Sequence, residues 1–184
     1  MSGQVVDPAV SRAKFDREVA DFERRRPMHR RRGWWVLNID FPIVEVAFAT
    51  PNLRPASVAF AVRIDFTNYD LWAPSVLFID PFSGEVLTRL DQVQAPMFRA
   101  TPTGQQRLVQ WHPDAGQPPF ICLPGVREYH SNPGHSGDDW LLHRGRGEGG
   151  LFFLVDKLSH YGSETITTLQ VEMTAKLAQG IFVP

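Results

Sequence analysis

One stretch of this 184-residue chain concentrates the side chains that could perform chemistry. The segment "WHPDAGQPPFICLPGVREYHSNPGHSGDDW", from Trp111 to Trp140, contains the single cysteine and three of the six histidines. A cysteine acts as a nucleophile when its thiolate is accessible, and a thiolate also binds metal ions. The segment therefore predicts a catalytic loop, a metal site, or both.

Four side chains of this segment are of kinds that a tetrahedral zinc ion accepts as ligands: Cys122, Glu128, His130 and His135. The "PG" and "NPG" turns between them would let a short loop fold back and bring the four donors together. The alternative is that the three polar residues belong to an exposed loop and the cysteine, in "ICL", is a small buried hydrophobe. Donor type and spacing leave both interpretations open.

An N-terminal helix is the first element that must position this segment. Asp7 can cap the helix and Pro8 suits its first position, so the pattern predicts a helix from there to about Arg26, where Pro27 ends it. One apolar stripe along this helix would dock on the rest of the protein; it consists of Phe15, Val19 and Phe22.

The middle of the chain predicts an antiparallel sheet. In "SVAFAVRIDF", alternation places one set of apolar residues on a single face: Val58, Phe60, Val62, Ile64 and Phe66. "GWWVLNI", "IVEVAFA" and "SVLFID" read as neighbouring strands of a meander. "LFFLVDKLSHY" predicts a helix ending near Gly162, and "TITTLQVEM" a late strand. The order indicates one α+β domain over residues 1–184.

Composition narrows the possible partners and locations. Nineteen Lys and Arg against twenty Asp and Glu give a net charge of −1, which predicts neither nucleic-acid nor membrane binding. A single cysteine fits a reducing compartment, and no segment has the apolar length of a signal peptide or a membrane span. These features predict a cytoplasmic protein. A local arginine cluster could bind an acidic protein or nucleic acid, or could be a solvated helix end; it consists of Arg24, Arg25, Arg26, Arg30, Arg31 and Arg32.

Two motifs resemble the core of ubiquitin-conjugating enzymes. "FAVRIDFTNYDLWAPSVLFID" is similar to that family's strand, aromatic turn, proline and next strand. "HPDAGQPPFICL" is similar to its His-Pro-Asn element, followed ten residues after His112 by Cys122 in an apolar-Cys-Leu context. Both follow an N-terminal helix and precede another helix, in the family's order. The resemblance covers most of Asp7 to Tyr161 and implies a ubiquitin-conjugating-like fold, with the metal-binding loop inserted at about 122–140.

The resemblance also implies roles for individual residues. Cys122 would form the thioester, His112 would support the loop, and Asp138 and Asp139 would orient an attacking amine or else cap the following turn. Asp114 stands where the family has an asparagine that stabilises a developing oxyanion, and an ionised carboxylate there would repel that charge. Asp114 thus departs from the family at a catalytic position.

The set Cys122, Glu128, His130 and His135 is similar to the Cys-Glu-His-His signature of a predicted metal-binding family in bacterial operons with ubiquitin-like proteins. That resemblance implies three partners: a ubiquitin-like protein, its activating enzyme, and a JAB-type peptidase. The function it implies is a carrier or transfer component of a ubiquitin-like conjugation pathway. A non-catalytic zinc-stabilised binding module is the alternative, because a sulfur committed to Zn²⁺ is a weaker nucleophile. A zinc hydrolase, which needs an open coordination position, is a third possibility.

Overall fold

The first helix begins where the sequence predicts. The computed structural model describes residues 3–93, 95, 97–112 and 116–168, and helix α1 spans Pro8–Glu23. The Asp7 carboxylate accepts a hydrogen bond from the Ala9 N–H at 2.8 Å, which caps the helix. Phe15 and Phe22 are buried, so the predicted apolar stripe faces the core.

The end of this helix differs from the prediction of a helix running to about Arg26. Helix α1 ends at Glu23, and a second helix, α2, spans Arg26–Arg32. Pro27 lies in the first turn of α2, where a missing N–H costs no hydrogen bond, so the proline starts a helix as well as ending one. Gly33 ends α2 at a φ of 74°, and a Cβ there would lie 2.4 Å from the Ala49 carbonyl oxygen.

The predicted antiparallel meander is confirmed. Its four strands are β1 Trp34–Asp40, β2 Ile43–Ala49, β3 Val58–Asp65 and β4 Ser75–Ile79, paired in the order β1-β2-β3-β4. One face of β3 is buried as predicted, except for Val58, which is 50% exposed. Val58 pairs with Ala49 beyond an irregularity in the β2–β3 register, at the end of the strand where the core stops.

Two short hairpins follow the sheet and lead to the cysteine segment. A 3₁₀ turn at Leu90–Gln92 precedes the first hairpin, β5 Phe98–Thr101 with β6 Gly104–Arg107. The second pairs β7 Val109–Gln110 with β8 Phe120–Ile121. Together they occupy the long connection between the last strand of the meander and the cysteine.

Three helices complete the described chain: α3 Arg127–Ser131, α4 Trp140–His143 and α5 Leu151–Gly162. Helix α5, predicted to end near Gly162, packs with α1 against the inner face of the sheet, where a Cβ on Gly162 would lie 2.5 Å from the Phe60 ring. The result is an α+β fold, as predicted. Most of the predicted late strand lies outside the described residues. Within the part described, no helix is both long and apolar enough to cross a bilayer.

Candidate functional site

Cys122 follows strand β8 directly and is held against the second hairpin. Its N–H donates to the Leu108 carbonyl at 2.7 Å, and the residue is 1% exposed within the main core. Burial raises the pKa of the Cys122 thiol, and the positive charge of Arg99 on β5 opposes that rise. The thiol is therefore held mainly in its protonated form, and a reaction at sulfur needs a proton acceptor nearby.

His135 is placed to act as that acceptor in the tautomer whose Nε2 carries no hydrogen. Its Nε2 lies 3.2 Å from the Cys122 Sγ. A 3₁₀ turn at Pro133–His135 positions the ring, and the Asn132 side chain caps this turn by accepting the Gly134 N–H at 2.9 Å. Of the four predicted metal ligands, this structure brings Cys122 and His135 into direct contact.

Tyr129 on α3 supports the His135 ring, and the sequence analysis did not select it. The two rings stack with centroids 4.0 Å apart, and the Tyr129 hydroxyl donates to the Asp138 carboxylate at 2.6 Å. Burial raises the pKa of Tyr129 to about 12, so the hydroxyl keeps its proton and remains a donor. An aromatic residue beside a histidine in the motif "REYHS" is the only sequence signal for this role.

Asp138 links Tyr129 to a second histidine that sequence analysis left unassigned. His143 lies between two carboxylates, with Nε2 bonded to Asp138 and Nδ1 to Glu148. The hydrogen bond from Tyr129, followed by that from His143, lowers the pKa of Asp138. In turn, the bond to Asp138 raises the pKa of His143. The arrangement stabilises an imidazolium between carboxylates and anchors the segment that carries His135.

Glu128 and His130, the other two predicted metal ligands, are committed elsewhere in this arrangement. The Glu128 carboxylate accepts the Ser75 hydroxyl at the start of β4, and burial raises its pKa. His130 accepts the Gly125 N–H through Nε2 at 3.0 Å and bonds the Asp138 carbonyl oxygen through Nδ1 at 2.8 Å. Burial lowers the pKa of His130, which favours the neutral ring that these two bonds require.

Two of the four predicted zinc donors meet in this structure, and the other two make hydrogen bonds elsewhere. Among the described residues, no three His, Cys, Asp or Glu side chains form a group that could hold a metal. A tetrahedral site would need His130 to release the Gly125 N–H and Glu128 to turn away from Ser75. Zinc binding stays a prediction, and no chemical step below depends on it.

Two further predicted catalytic residues, His112 and Asp139, make contacts other than that between Cys122 and His135. His112 is at the loop end of the β7–β8 hairpin, where its ring meets Phe120 edge-on with centroids 5.9 Å apart, whereas Cys122 lies at the opposite end beside Leu108. Asp114 lies outside the described residues. Asp139 is exposed and caps α4 by accepting the Leu141 N–H at 2.8 Å, which is the alternative role considered for it.

An apolar groove of about 490 Å³ borders the same segment. Its lining includes Leu71, Trp72, Trp140 and Leu141, and His130 and Asp139 also border it. The Trp140 indole N–H donates to the Asp70 carbonyl at 2.9 Å, which fixes the wall of the groove to the loop between β3 and β4. An extended or aliphatic ligand could lie there, next to the exposed Asp139 carboxylate.

Comparison with known proteins identifies the family of this chain. The sequence model of the Y4jH-like family, described as the Y4jH family, matches residues 6–166. The uncharacterized protein y4jH of Sinorhizobium fredii (strain NBRC 101917 / NGR234) is 41% identical over 196 aligned residues, which cover 98% of this chain and 95% of that protein. Neither description mentions a ubiquitin-conjugating fold or a ubiquitin-like pathway, so both of these stay predictions.

Proposed function

The chain belongs to the Y4jH-like family, and we propose that it is a carrier or transfer component of a bacterial ubiquitin-like protein conjugation pathway. Cys122 is the nucleophile in this proposal, and His135 is its proton acceptor. The observation that carries the proposal is the 3.2 Å contact between the Cys122 Sγ and the His135 Nε2. A thiol with an imidazole within hydrogen-bond reach is a standard arrangement for nucleophilic catalysis at sulfur.

The order of elements supports the assignment of the fold to the ubiquitin-conjugating type. An N-terminal helix, a four-stranded antiparallel meander, a cysteine segment and a later helix follow one another along the chain. This is the order that the two motifs of the sequence resemble. The β5–β6 hairpin lies in the connection between β4 and His112.

The proposed reaction moves one acyl group in two steps. In the first step, His135 takes the thiol proton of Cys122, and the thiolate attacks the carbonyl carbon of the thioester between the activating enzyme and the ubiquitin-like C-terminus. A new C–S bond forms on Cys122, and the activating enzyme's cysteine leaves and takes a proton. In the second step, an amine attacks the same carbon, an amide forms, and Cys122 regains its proton as it leaves.

The surrounding side chains have positioning roles in this proposal. Tyr129 keeps the His135 ring in the plane that faces the sulfur, and Asp138 holds Tyr129 through its hydroxyl. Asp139 borders the apolar groove, so the aliphatic stem of an incoming amine would lie in the groove with its charged end at that carboxylate. Because Cys122 is 1% exposed, the chain around it must shift before an acyl group reaches the sulfur.

A zinc-stabilised binding module is the second candidate, and the convergence of the Cys122 sulfur with the His135 Nε2 also favours it. In that case Cys122 would have no covalent chemistry, and the domain would bind the ubiquitin-like protein or its activating enzyme. Metal analysis of protein purified without a histidine tag separates the two candidates. Stoichiometric Zn²⁺ that is lost in both Cys122→Ser and His135→Gln supports the module. If the protein contains no zinc, even after zinc is added, the carrier is the candidate that remains.

The decisive experiment is an adduct assay. The protein is incubated with the cognate ubiquitin-like protein, the activating enzyme and ATP, and its mass is followed with and without reductant. A reductant-sensitive adduct that is absent in Cys122→Ser and reduced in His135→Gln supports the carrier. His160→Gln is the matched control, because His160 is an exposed residue of α5 away from the cysteine. Binding without any adduct contradicts the carrier.

The partners proposed from the resemblance are the ubiquitin-like protein, its activating enzyme and the JAB-type peptidase, in the cytoplasm. The arginines that follow α1 would bind an acidic surface of the activating enzyme. Arg24 and Arg25 already bond Asp21 of α1, and Arg26 pairs with Glu23. Charge reversal at these three arginines that leaves both binding and transfer unchanged would remove this contact from the proposal.

A further inference from the structure

Strand β1 forms one edge of the four-stranded sheet. Within the described residues its sole strand neighbour is β2. The edge is also apolar: Trp35 is 60% exposed and Leu37 is 45% exposed. An exposed edge strand with unpaired backbone groups and apolar side chains is a template for pairing with another strand.

The direction of the backbone groups shows which residues could pair. The Gly33 carbonyl points toward β2, because it accepts the Ala49 N–H at 2.7 Å. Successive residues of an antiparallel strand direct their N–H and C=O groups alternately to the two sides. Trp34 and Val36 therefore direct theirs toward the free edge, where a further strand could bond them.

The two ends of β1 carry opposite charges. Arg30 and Arg31 are exposed just before the strand, and Asp40 is exposed at its last position. None of these three forms an ion pair with another side chain in the part of the chain that the structure describes. Antiparallel pairing of two identical β1 strands would place the basic end of each beside the acidic end of the other.

The register of such a pair follows from the side-chain faces. Trp35 pairs with Ala47 on the face away from the main core, and Asn38, which lies beyond a bulge in β1, pairs with Glu45 on that same face. Opposite residues of an antiparallel pair share a face, so Trp35 of one copy would lie opposite Asn38 of the other. That register sets Asp40 opposite Gly33, within reach of the Arg31 side chain.

We propose that β1 is a homodimer interface, in which two copies of this chain pair their β1 strands antiparallel into one continuous sheet. The occupant is a second copy because the strand is self-complementary in charge, with an exposed cation at one end and an exposed anion at the other. This surface is separate from the Cys122 site, so the test of the interface does not depend on whether the protein has the proposed conjugation activity.

The first test measures the dimer and removes one of its backbone donors. Sedimentation velocity of the full chain over a wide range of concentrations should show a monomer–dimer equilibrium. Val36→Pro removes an N–H that points to the free edge and leaves the ladder to β2 intact, so the dimer should weaken by about tenfold or more. Circular dichroism and a thermal melt establish that this variant still folds.

The second test uses charge and leaves the backbone unchanged. Asp40→Arg alone brings two cations together at each end of the pair, and Arg31→Asp alone brings two anions together, so each variant should dimerise about tenfold more weakly at low salt. A mixture of the two variants restores opposite charges at both ends. It should form a heterodimer about as stable as the parent dimer, and high salt should remove the difference.

Three results would overturn the interface. One is a chain that stays monomeric at every concentration. Another is a dimer that Val36→Pro leaves unchanged. The third is a mixture of Asp40→Arg with Arg31→Asp that associates no better than either variant alone.

Discussion

Replacing His135 with glutamine tests the central contact of the proposed site without any partner protein. His135 is the side chain nearest to the Cys122 sulfur among the hydrogen-bonding contacts that the structure describes, at 3.2 Å. If it accepts the thiol proton, the His135→Gln variant loses the group that stabilises the thiolate. The pKa of the Cys122 thiol, already raised by burial, should then rise further.

The magnitude follows from the strength of one hydrogen bond. A net contribution of about 1.5 kcal/mol for a hydrogen bond between the thiolate and the imidazolium formed by the proton transfer corresponds to roughly a tenfold smaller thiolate fraction below the midpoint. The change is modest because the sulfur keeps its other surroundings, including the favourable charge of Arg99. Replacing Arg99 with glutamine should move the midpoint of the Cys122 thiol in the same direction.

The assay is the rate of Cys122 alkylation by a small reagent as a function of pH, followed by mass spectrometry. Since the chain has one cysteine, every adduct on sulfur reports this site. The midpoint of the profile reports ionisation, whereas the plateau at high pH reports access. A glutamine that loosens the turn would raise the plateau and still move the midpoint upward, so the two effects separate.

The outcome that would refute the reasoning is specific. If His135→Gln and the control His160→Gln show the same midpoint as the parent, while melts show that both are folded, His135 does not influence the ionisation of the thiol. A midpoint that moves to lower pH in His135→Gln would also refute the role of His135, because it would mean that the imidazole stabilises the thiol form. Either result would withdraw His135 from the mechanism.

Three further predictions concern the side chains around this contact. Tyr129→Phe keeps the ring stacked on His135 and should leave the alkylation midpoint unchanged. Its stability should fall by only about 1 kcal/mol, because water can replace the hydroxyl as a donor to Asp138. Tyr129→Leu removes the stacked ring and should shift the midpoint, so equal midpoints in the two variants would contradict the stacking role. Glu128→Gln removes a carboxylate whose pKa is raised because burial disfavours its charged form, so the melting temperature at neutral pH should equal or exceed that of the parent. A clear loss of stability, in a parent protein that contains bound metal, would instead identify Glu128 as a metal ligand. The pKa of His143 is raised in the folded state, so its protonation stabilises the fold fully below the unfolded pKa near 6.5, and this stabilisation is lost as pH rises through the folded pKa. Urea titrations across that pH range should show a decline in the free energy of unfolding, and the decline should be smaller in His143→Gln. The same pH dependence in His143→Gln as in the parent would exclude the carboxylate–imidazole pair.

Local patterns were sufficient for the sheet and the first and last helices. The period-two alternation in β3 identifies a half-buried strand because adjacent side chains point to opposite faces, and short turns then limit the neighbours to an antiparallel meander. The start of α1 was equally local, because Asp7 and Pro8 act on the first turn alone. Pro27 was interpreted only as a helix end, since a proline favours the first turn of a new helix as readily as it interrupts an old one.

The site was only partly predictable from the same sequence. The thiol, the imidazoles and the carboxylates could be identified by type, and the "NPG" turn correctly marked a reversal of the chain near His135. Their partners could not be identified, because each choice depends on contacts between distant segments. Glu128 illustrates this: its hydrogen-bond partner Ser75 lies on β4, and nothing in the local sequence distinguishes that contact from one with Cys122.

The sequence by itself determined the kinds of reactive groups and the elements that frame them, because residue type and side-chain period act over a few residues. Only the tertiary structure decided that Cys122 meets His135, that Tyr129 and Asp138 support the imidazole, and that His143, which the sequence left unassigned, lies between two carboxylates. Those pairings depend on how the 122–148 segment packs against β4 and β8. Burial and the competition among backbone and side-chain hydrogen bonds select one arrangement from several that the same residues would allow.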